Sequence, residues 1–135
     1  MKSFLSLRIS GIYIDVDMIS EQFGKPHYTY KKGQEMMSKF NEKADVYDED
    51  CCIYSTESTH SETAEMCLNR FLKTILPKSK LLKSMSEIYN ITLWISIYPD
   101  DEQNNFHISK DSLKAIYNMG ITLDISTYFL KEFYE

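Results

Sequence analysis

Arg8, Trp94 and Asp124 are the residues whose types and spacing carry the most chemistry in this chain, and the chemistry is recognition. Each interrupts a similar string: Leu-Ser-Leu-Arg-Ile-Ser at residues 5–10, Ile-Thr-Leu-Trp-Ile-Ser-Ile-Tyr at 91–98, and Ile-Thr-Leu-Asp-Ile-Ser-Thr-Tyr at 121–128. The last two strings agree at six of eight positions. If the three lie side by side in register, Arg8, Trp94 and Asp124 hold equivalent positions on one face. An arginine can then rest on the indole face, drawn by the ring quadrupole, and pair with Asp124 across or beside Trp94. Tyr98 and Tyr128 extend the patch. Trp, Tyr and Arg are the types that dominate binding hot spots. The plainer reading is an open sheet face with ordinary cross-strand pairs.

Carboxylates form the second chemical feature. They cluster as Asp45, Asp48, Glu49 and Asp50, as Glu57, Glu62 and Glu65, and as Asp100, Asp101 and Glu102. Acidic loops can imitate phosphate and occupy a basic cleft, so Asp48, Glu49, Asp50, Asp100, Asp101 and Glu102 join the candidate partner-binding set. As solvated turns they would do no more than keep the chain soluble.

Other chemistries find little support. His27, His60 and His107 are scattered, without the second ligand at short spacing that zinc motifs use. The cysteines Cys51, Cys52 and Cys67 are odd in number and have no repeated spacing, which argues against a disulfide framework. Neighbouring Cys51 and Cys52 would point to opposite faces of a strand, and Cys67 sits in a helical apolar stripe. Four glycines spread over 135 residues make no phosphate loop. Asp100 and Asp101 are adjacent and not a spaced catalytic pair. The expectation is therefore no catalytic residue, no metal, no cofactor and no enzyme.

The elements that must position these groups follow from periodicity. The three strings alternate aliphatic with polar, the period of half-buried strands, and a further strand is predicted over 51–56. His27 to Gln34 alternates weakly and predicts a strand or extended loop. Asp15 predicts a helix cap, with the helix over 16–23 stopped by Gly24. Thr59 and Glu62 have capping-box spacing, ahead of a stripe through Ala64, Cys67, Leu68, Phe71, Leu72, Ile75 and Leu76. Pro77 ends that helix, and Ser79 caps another with Leu81, Leu82, Met85, Ile88 and Tyr89 inward. Phe106 to Ser109 reads as a short strand pairing back. Ser109 then caps a helix over about 110–119, with Leu113, Ile116 and Met119 inward and Gly120 as its stop. Residues 35–50 give no clear element, and the aromatic tail from Phe129 to Tyr134 is expected to pack on the body. Ile14 to Gly24 corresponds to Ile108 to Gly120, so strand, short capped helix and strand recur at the two ends. The sum is a single α+β domain over residues 1–135, a largely antiparallel sheet with helices packed on one face.

Composition bounds the function. The net charge of −5 and a pI near 5.2 argue against direct nucleic-acid binding and suit a basic partner. Ten Tyr and seven Phe supply interface-forming side chains. No secretory leader and no run of eighteen apolar residues is present, so no membrane role is expected and the cytoplasm is the default location.

Several short strings give the chain a family likeness. They are Leu-Arg-Ile-Ser-Gly (7–11), Phe-Gly-Lys-Pro (23–26), Lys-Lys-Gly (31–33), Leu-Pro (76–77), Phe-His-Ile-Ser (106–109) and Asp-Ile-Ser-Thr-Tyr (124–128). In their order the chain resembles the bacterial domain-of-unknown-function family numbered 4279. It also looks like the small acidic immunity proteins of bacterial toxin systems, such as those of contact-dependent growth inhibition. That resemblance implies a non-catalytic protein that occludes a cognate toxin, with a basic nuclease domain as the natural target. The alternative is a small regulatory or ligand-binding domain acting as a homodimer.

Overall fold

The computed structural model describes residues 2–36, 45–99 and 106–128. Its elements run β1 (Lys2–Gly11), α1 (Val16–Phe23), β2 (Tyr28–Tyr30), β3 (Asp50–Glu57), α2 (Ala64–Ile75), α3 (Ser79–Met85), β4 (Asn90–Tyr98), α4 (Lys110–Asn118) and β5 (Thr122–Thr127). The strands make one sheet in the order β2-β3-β1-β4-β5. All pairs are antiparallel except β4 with β5, which α4 joins as a parallel crossover.

Alternation fixes the layers. Leu5, Leu7 and Ile9 on β1 and Ile91, Leu93, Ile95 and Ile97 on β4 are buried, and all four helices contribute to the same core cluster through Ile19, Leu68, Leu82 and Ile116. The helices thus cover one face of the sheet, as predicted. Cys52 and Cys67 belong to that core, whereas Cys51, buried as well, lies outside the cluster on the opposite face.

The short helices owe their ends to the predicted residues. Asp15 accepts from the Met18 amide at 3.1 Å, and Ser109 from Ser112 at 3.1 Å. Gly24 and Gly120 both take positive φ. The pseudo-repeat holds for these helix units, but its strands pair differently. β4 and β5 are neighbours, while β3 separates β1 from β2.

Several expectations are corrected. Helix α2 starts at Ala64 with Thr63 as its cap, because the Thr59–Glu62 exchange builds the preceding turn. There the Thr59 amide donates to Glu62 Oε1 at 2.9 Å. Ser79 is the first residue of α3 and not its N-cap, since a 3-10 turn over Leu76–Lys78 joins α2 to α3 and Ser79 closes that turn. Phe106 to Ser109 is not a strand. Both edges of β4 are taken by β1 and β5, so Phe106 and Ile108 pack onto the core instead. Leu76, Ile88 and Leu113 are exposed. Leu76 opens the 3-10 turn, Ile88 lies past the end of α3, and α4 is narrow enough that Ser112, Ile116 and Met119 fill its inner side. Ile125 is 48% exposed because β5 is an edge strand. Residues 100–105 and the aromatic tail from Phe129 lie outside the described residues.

Arg70 ties the β3–α2 turn together. Its Nε and Nη2 donate to the Glu62 carboxylate at 2.8 and 3.0 Å, and Nη2 also reaches the Glu57 carbonyl at 2.9 Å. The Arg70 hydrogen bond, then the Thr59 amide, hold the Glu62 carboxyl down at about 2. A depressed carboxyl stabilises the fold above its ordinary value near 4.5, and that contribution is lost as pH falls toward 2. Glu62→Gln is therefore expected to lower stability at neutral pH and to flatten the decline between these two values. Urea melts across that range check it, and an unchanged acid slope would refute the assignment.

Candidate functional site

The face of the sheet opposite the helices carries the candidate site. Because side chains alternate, Ser6, Arg8 and Ser10 of β1 share this face with Thr92, Trp94, Ser96 and Tyr98 of β4 and with Thr122, Asp124 and Ser126 of β5. Register settles their relations. Trp94 lies directly beside Asp124, as the matching strings predict for parallel strands. β1 runs antiparallel to β4, so its string meets the other in reverse. Arg8 faces Thr92 and Ser6 faces Trp94. The predicted equivalence of Arg8 with Trp94 is thus displaced by two residues.

Arg8 still reaches the indole along the diagonal, and its Cζ lies 3.9 Å from the Trp94 ring centroid. This is close contact for a cation on an aromatic face. The Arg8 Nε is buried and has no hydrogen-bond partner among the described residues. The ion pairs among the described residues are Lys2–Glu57, Arg70–Glu62 and His107–Glu65, so Arg8 does not pair with Asp124.

Around this pair the face sinks into a polar depression of about 350 Å³, lined by Arg8, Ser10, Tyr30, Glu49, Cys51, Asn90, Thr92, Trp94, Thr122 and Asp124. Tyr30 and Cys51 close one side. They are register partners on β2 and β3. Burial, then a hydrogen bond with Cys51, pushes the Tyr30 hydroxyl far up. Burial likewise raises the Cys51 thiol, so it is no ready nucleophile. Tyr30 is braced from behind by Tyr47, whose ring stacks on it at 3.7 Å. Toward the other end of the face, Tyr98 stacks on Tyr128 at 5.2 Å and meets Phe4 edge-on at 5.5 Å.

The acidic candidates separate. Glu49 lines the depression and Asp48 is exposed. Asp50 is engaged in the fold, since its carboxylate accepts from the Lys32 amide at 2.9 Å and the Ile14 amide at 3.3 Å. The Lys32 bond chiefly lowers its carboxyl. Asp100, Asp101 and Glu102 lie outside the described residues. Tyr30, Cys51, Asn90 and Thr122 were not among the sequence candidates. Two of them come from β2 and β3, whose pairing no string announces.

A larger cavity of about 480 Å³ opens on the helix side between α1, α2 and β3. Its polar groups are matched. Arg70 is held by Glu62, Lys78 donates to Gln22 at 3.1 Å, and the Tyr54 hydroxyl donates to the Gly24 carbonyl at 2.7 Å. The smaller depression, with its unmatched charges, is the better recognition site. Among the described residues no cluster of three or more His, Cys, Asp or Glu could hold a metal ion, and no helix is long and apolar enough to cross a membrane.

The family match now decides the lineage. Residues 1–130 match the family described as Domain of unknown function (DUF4279). The chain belongs to that family. The match spans every element from β1 to β5, so the Arg8–Trp94 face lies within the DUF4279 domain itself. No curated protein and no solved structure matches the chain.

Proposed function

We propose that this DUF4279 protein is a non-catalytic binding protein that receives a protein partner on its open sheet face. In its fullest form the reading is an immunity protein that occludes a cognate bacterial toxin in the cytoplasm. The observation that carries it is the Arg8 guanidinium laid on Trp94, its buried Nε without a hydrogen-bond partner among the described residues. An oriented, unmatched arginine on an aromatic platform is the composition of an interface hot spot. Tyr98, Tyr128 and Phe4 continue the contact surface. The net charge of −5 supports a basic partner such as a nuclease domain, since opposite charge speeds encounter.

The test is capture from the native host by the tagged chain, at low and high salt, beside Trp94→Ala, Arg8→Ala and the helix-side control Met66→Ala. Met66 is 51% exposed on α2. One basic partner is expected, whose toxic activity the wild-type chain suppresses. Trp94→Ala should weaken its binding by roughly 30-fold, the scale of a hot-spot truncation near 2 kcal/mol, while Met66→Ala leaves it unchanged. Equal affinity in all variants would remove the site assignment. Recovery of the chain alone would favour the homodimeric regulatory reading.

A further inference from the structure

The geometry points to the depression around Arg8 as a binding site for a small zwitterion of the α-amino acid class, its carboxylate on the guanidinium and its ammonium on a flanking carboxylate. The inference shares the open face with the partner-binding reading but requires no toxin.

Three observations carry it. The guanidinium is held in place with one nitrogen unsatisfied, since Trp94 lies 3.9 Å from its Cζ and its buried Nε has no acceptor among the described residues. A desolvated donor without a partner costs free energy, and a bound carboxylate makes charge-assisted hydrogen bonds with this group. Glu49 and Asp124 line the same depression, yet neither forms an ion pair with Arg8 or with any other described residue. Finally, Asn90, Thr92 and Thr122 give the wall neutral donors and acceptors.

Charge matching then selects the ligand. A bare anion would meet two carboxylates against one guanidinium, and a bare cation would meet Arg8. A neutral ligand would leave all three charges uncompensated when it displaces their water. A zwitterion completes an alternating series: guanidinium, ligand carboxylate, ligand ammonium, protein carboxylate. The sheet leaves room for it. Arg8 and Asp124 stand on β1 and β5, two strand spacings or roughly 10 Å apart with β4 between them, whereas a direct ion pair needs about 4 Å. The volume of about 350 Å³ is at the small end of ligand sites.

The purified full chain would be titrated with each common L-amino acid at millimolar concentration. Trp94, the single tryptophan, supplies the fluorescence signal, and calorimetry supplies the stoichiometry. At least one amino acid is expected to bind saturably at one site. Its N-acetyl form, which lacks the ammonium, and its amide, which lacks the carboxylate, should each bind tenfold or more weakly. Arg8→Met and Asp124→Asn should weaken binding to the same degree, with the far-UV circular dichroism spectrum retained. Asp124 is exposed, so its variant keeps the test valid even where Arg8→Met fails to fold. No saturable binding by any free amino acid overturns the proposal. So does an N-acetyl or amide form that binds as well as its parent. Either result leaves capture of a protein partner unaffected, so failure of this inference is distinguishable from failure of the immunity reading.

Discussion

Leu93→Ala is expected to destabilise the protein by about 3 kcal/mol, within the range for a leucine truncated in a packed core. Leu93 is fully buried at the middle of β4. It lies opposite Leu7 on β1 and beside Leu123 on β5, with α-helical side chains of the core cluster above. Backbone ladders on both sides hold β4 in place, so the sheet cannot close around the missing atoms. The cost is then the lost transfer free energy plus the cavity left behind. For a domain of this length it corresponds to a fall in melting temperature of about 10 °C. Leu93 is flanked in sequence by Thr92 and Trp94, which line the depression on the other face, so the truncation should also loosen the Trp94 platform. Leu113→Ala is the matched control, because Leu113 is 47% exposed on α4. It should cost less than about 1 kcal/mol, as surface truncations do. Calorimetric melts of both variants check the pair, and equal losses would contradict this placement of the core.

The contrast between Leu93 and Leu113 shows which parts of the molecule were legible in the sequence. Strand alternation is a local property, and with period 2 it assigns every residue of β1 and β4 to a face. The buried set on those strands was therefore readable. Trp94 stands beside Asp124 because their similar strings lie in parallel strands, a direction that the strings themselves do not carry. The same argument misplaced Arg8, since similarity of strings carries no information about strand direction. Only pairing does, and β1 runs antiparallel to β4. The far wall of the depression was illegible for a related reason. β2 has three residues, and Tyr30 meets Cys51 across 21 positions of sequence. No local pattern encodes such a long-range pair. Leu113 was misread because α4 buries a narrower stripe than the full i, i+3, i+4 pattern implies, and Ile88 because α3 ends at Met85, before that position. The capping box at Thr59 and Glu62 misled by one turn because Glu62 is bound to Arg70, a contact outside the motif.

Gly120→Ala is expected to be the most damaging glycine substitution, costing roughly 3 kcal/mol from left-handed strain combined with overpacking. Gly24 is the C-cap of α1 and Gly120 follows Met119, the C-cap of α4, and both have positive φ, +85° and +72°. Their surroundings differ. A Cβ built on Gly24 meets nothing within 4 Å, so Gly24→Ala carries backbone strain alone. A Cβ on Gly120 would overlap Ser86, coming within 2.6 Å of its Cβ. Ser86 cannot simply rotate away, because its hydroxyl donates to the Lys83 carbonyl at 2.6 Å at the end of α3 and a rotamer change leaves its Cβ where it is. The double variant Gly120→Ala, Ser86→Gly separates the two costs. It should recover the overlap and leave the strain, so that it costs less than Gly120→Ala after correction for Ser86→Gly alone. Chemical denaturation of the four variants closes the cycle. A double-variant loss equal to that of Gly120→Ala, after the same correction, would show that α3 yields at this contact. The position matters for function because Gly120 delivers the chain from α4 into β5. Any shift there moves Thr122 and Asp124 relative to Trp94, so Gly120→Ala should weaken recognition at the Arg8 depression even at temperatures where the variant remains folded.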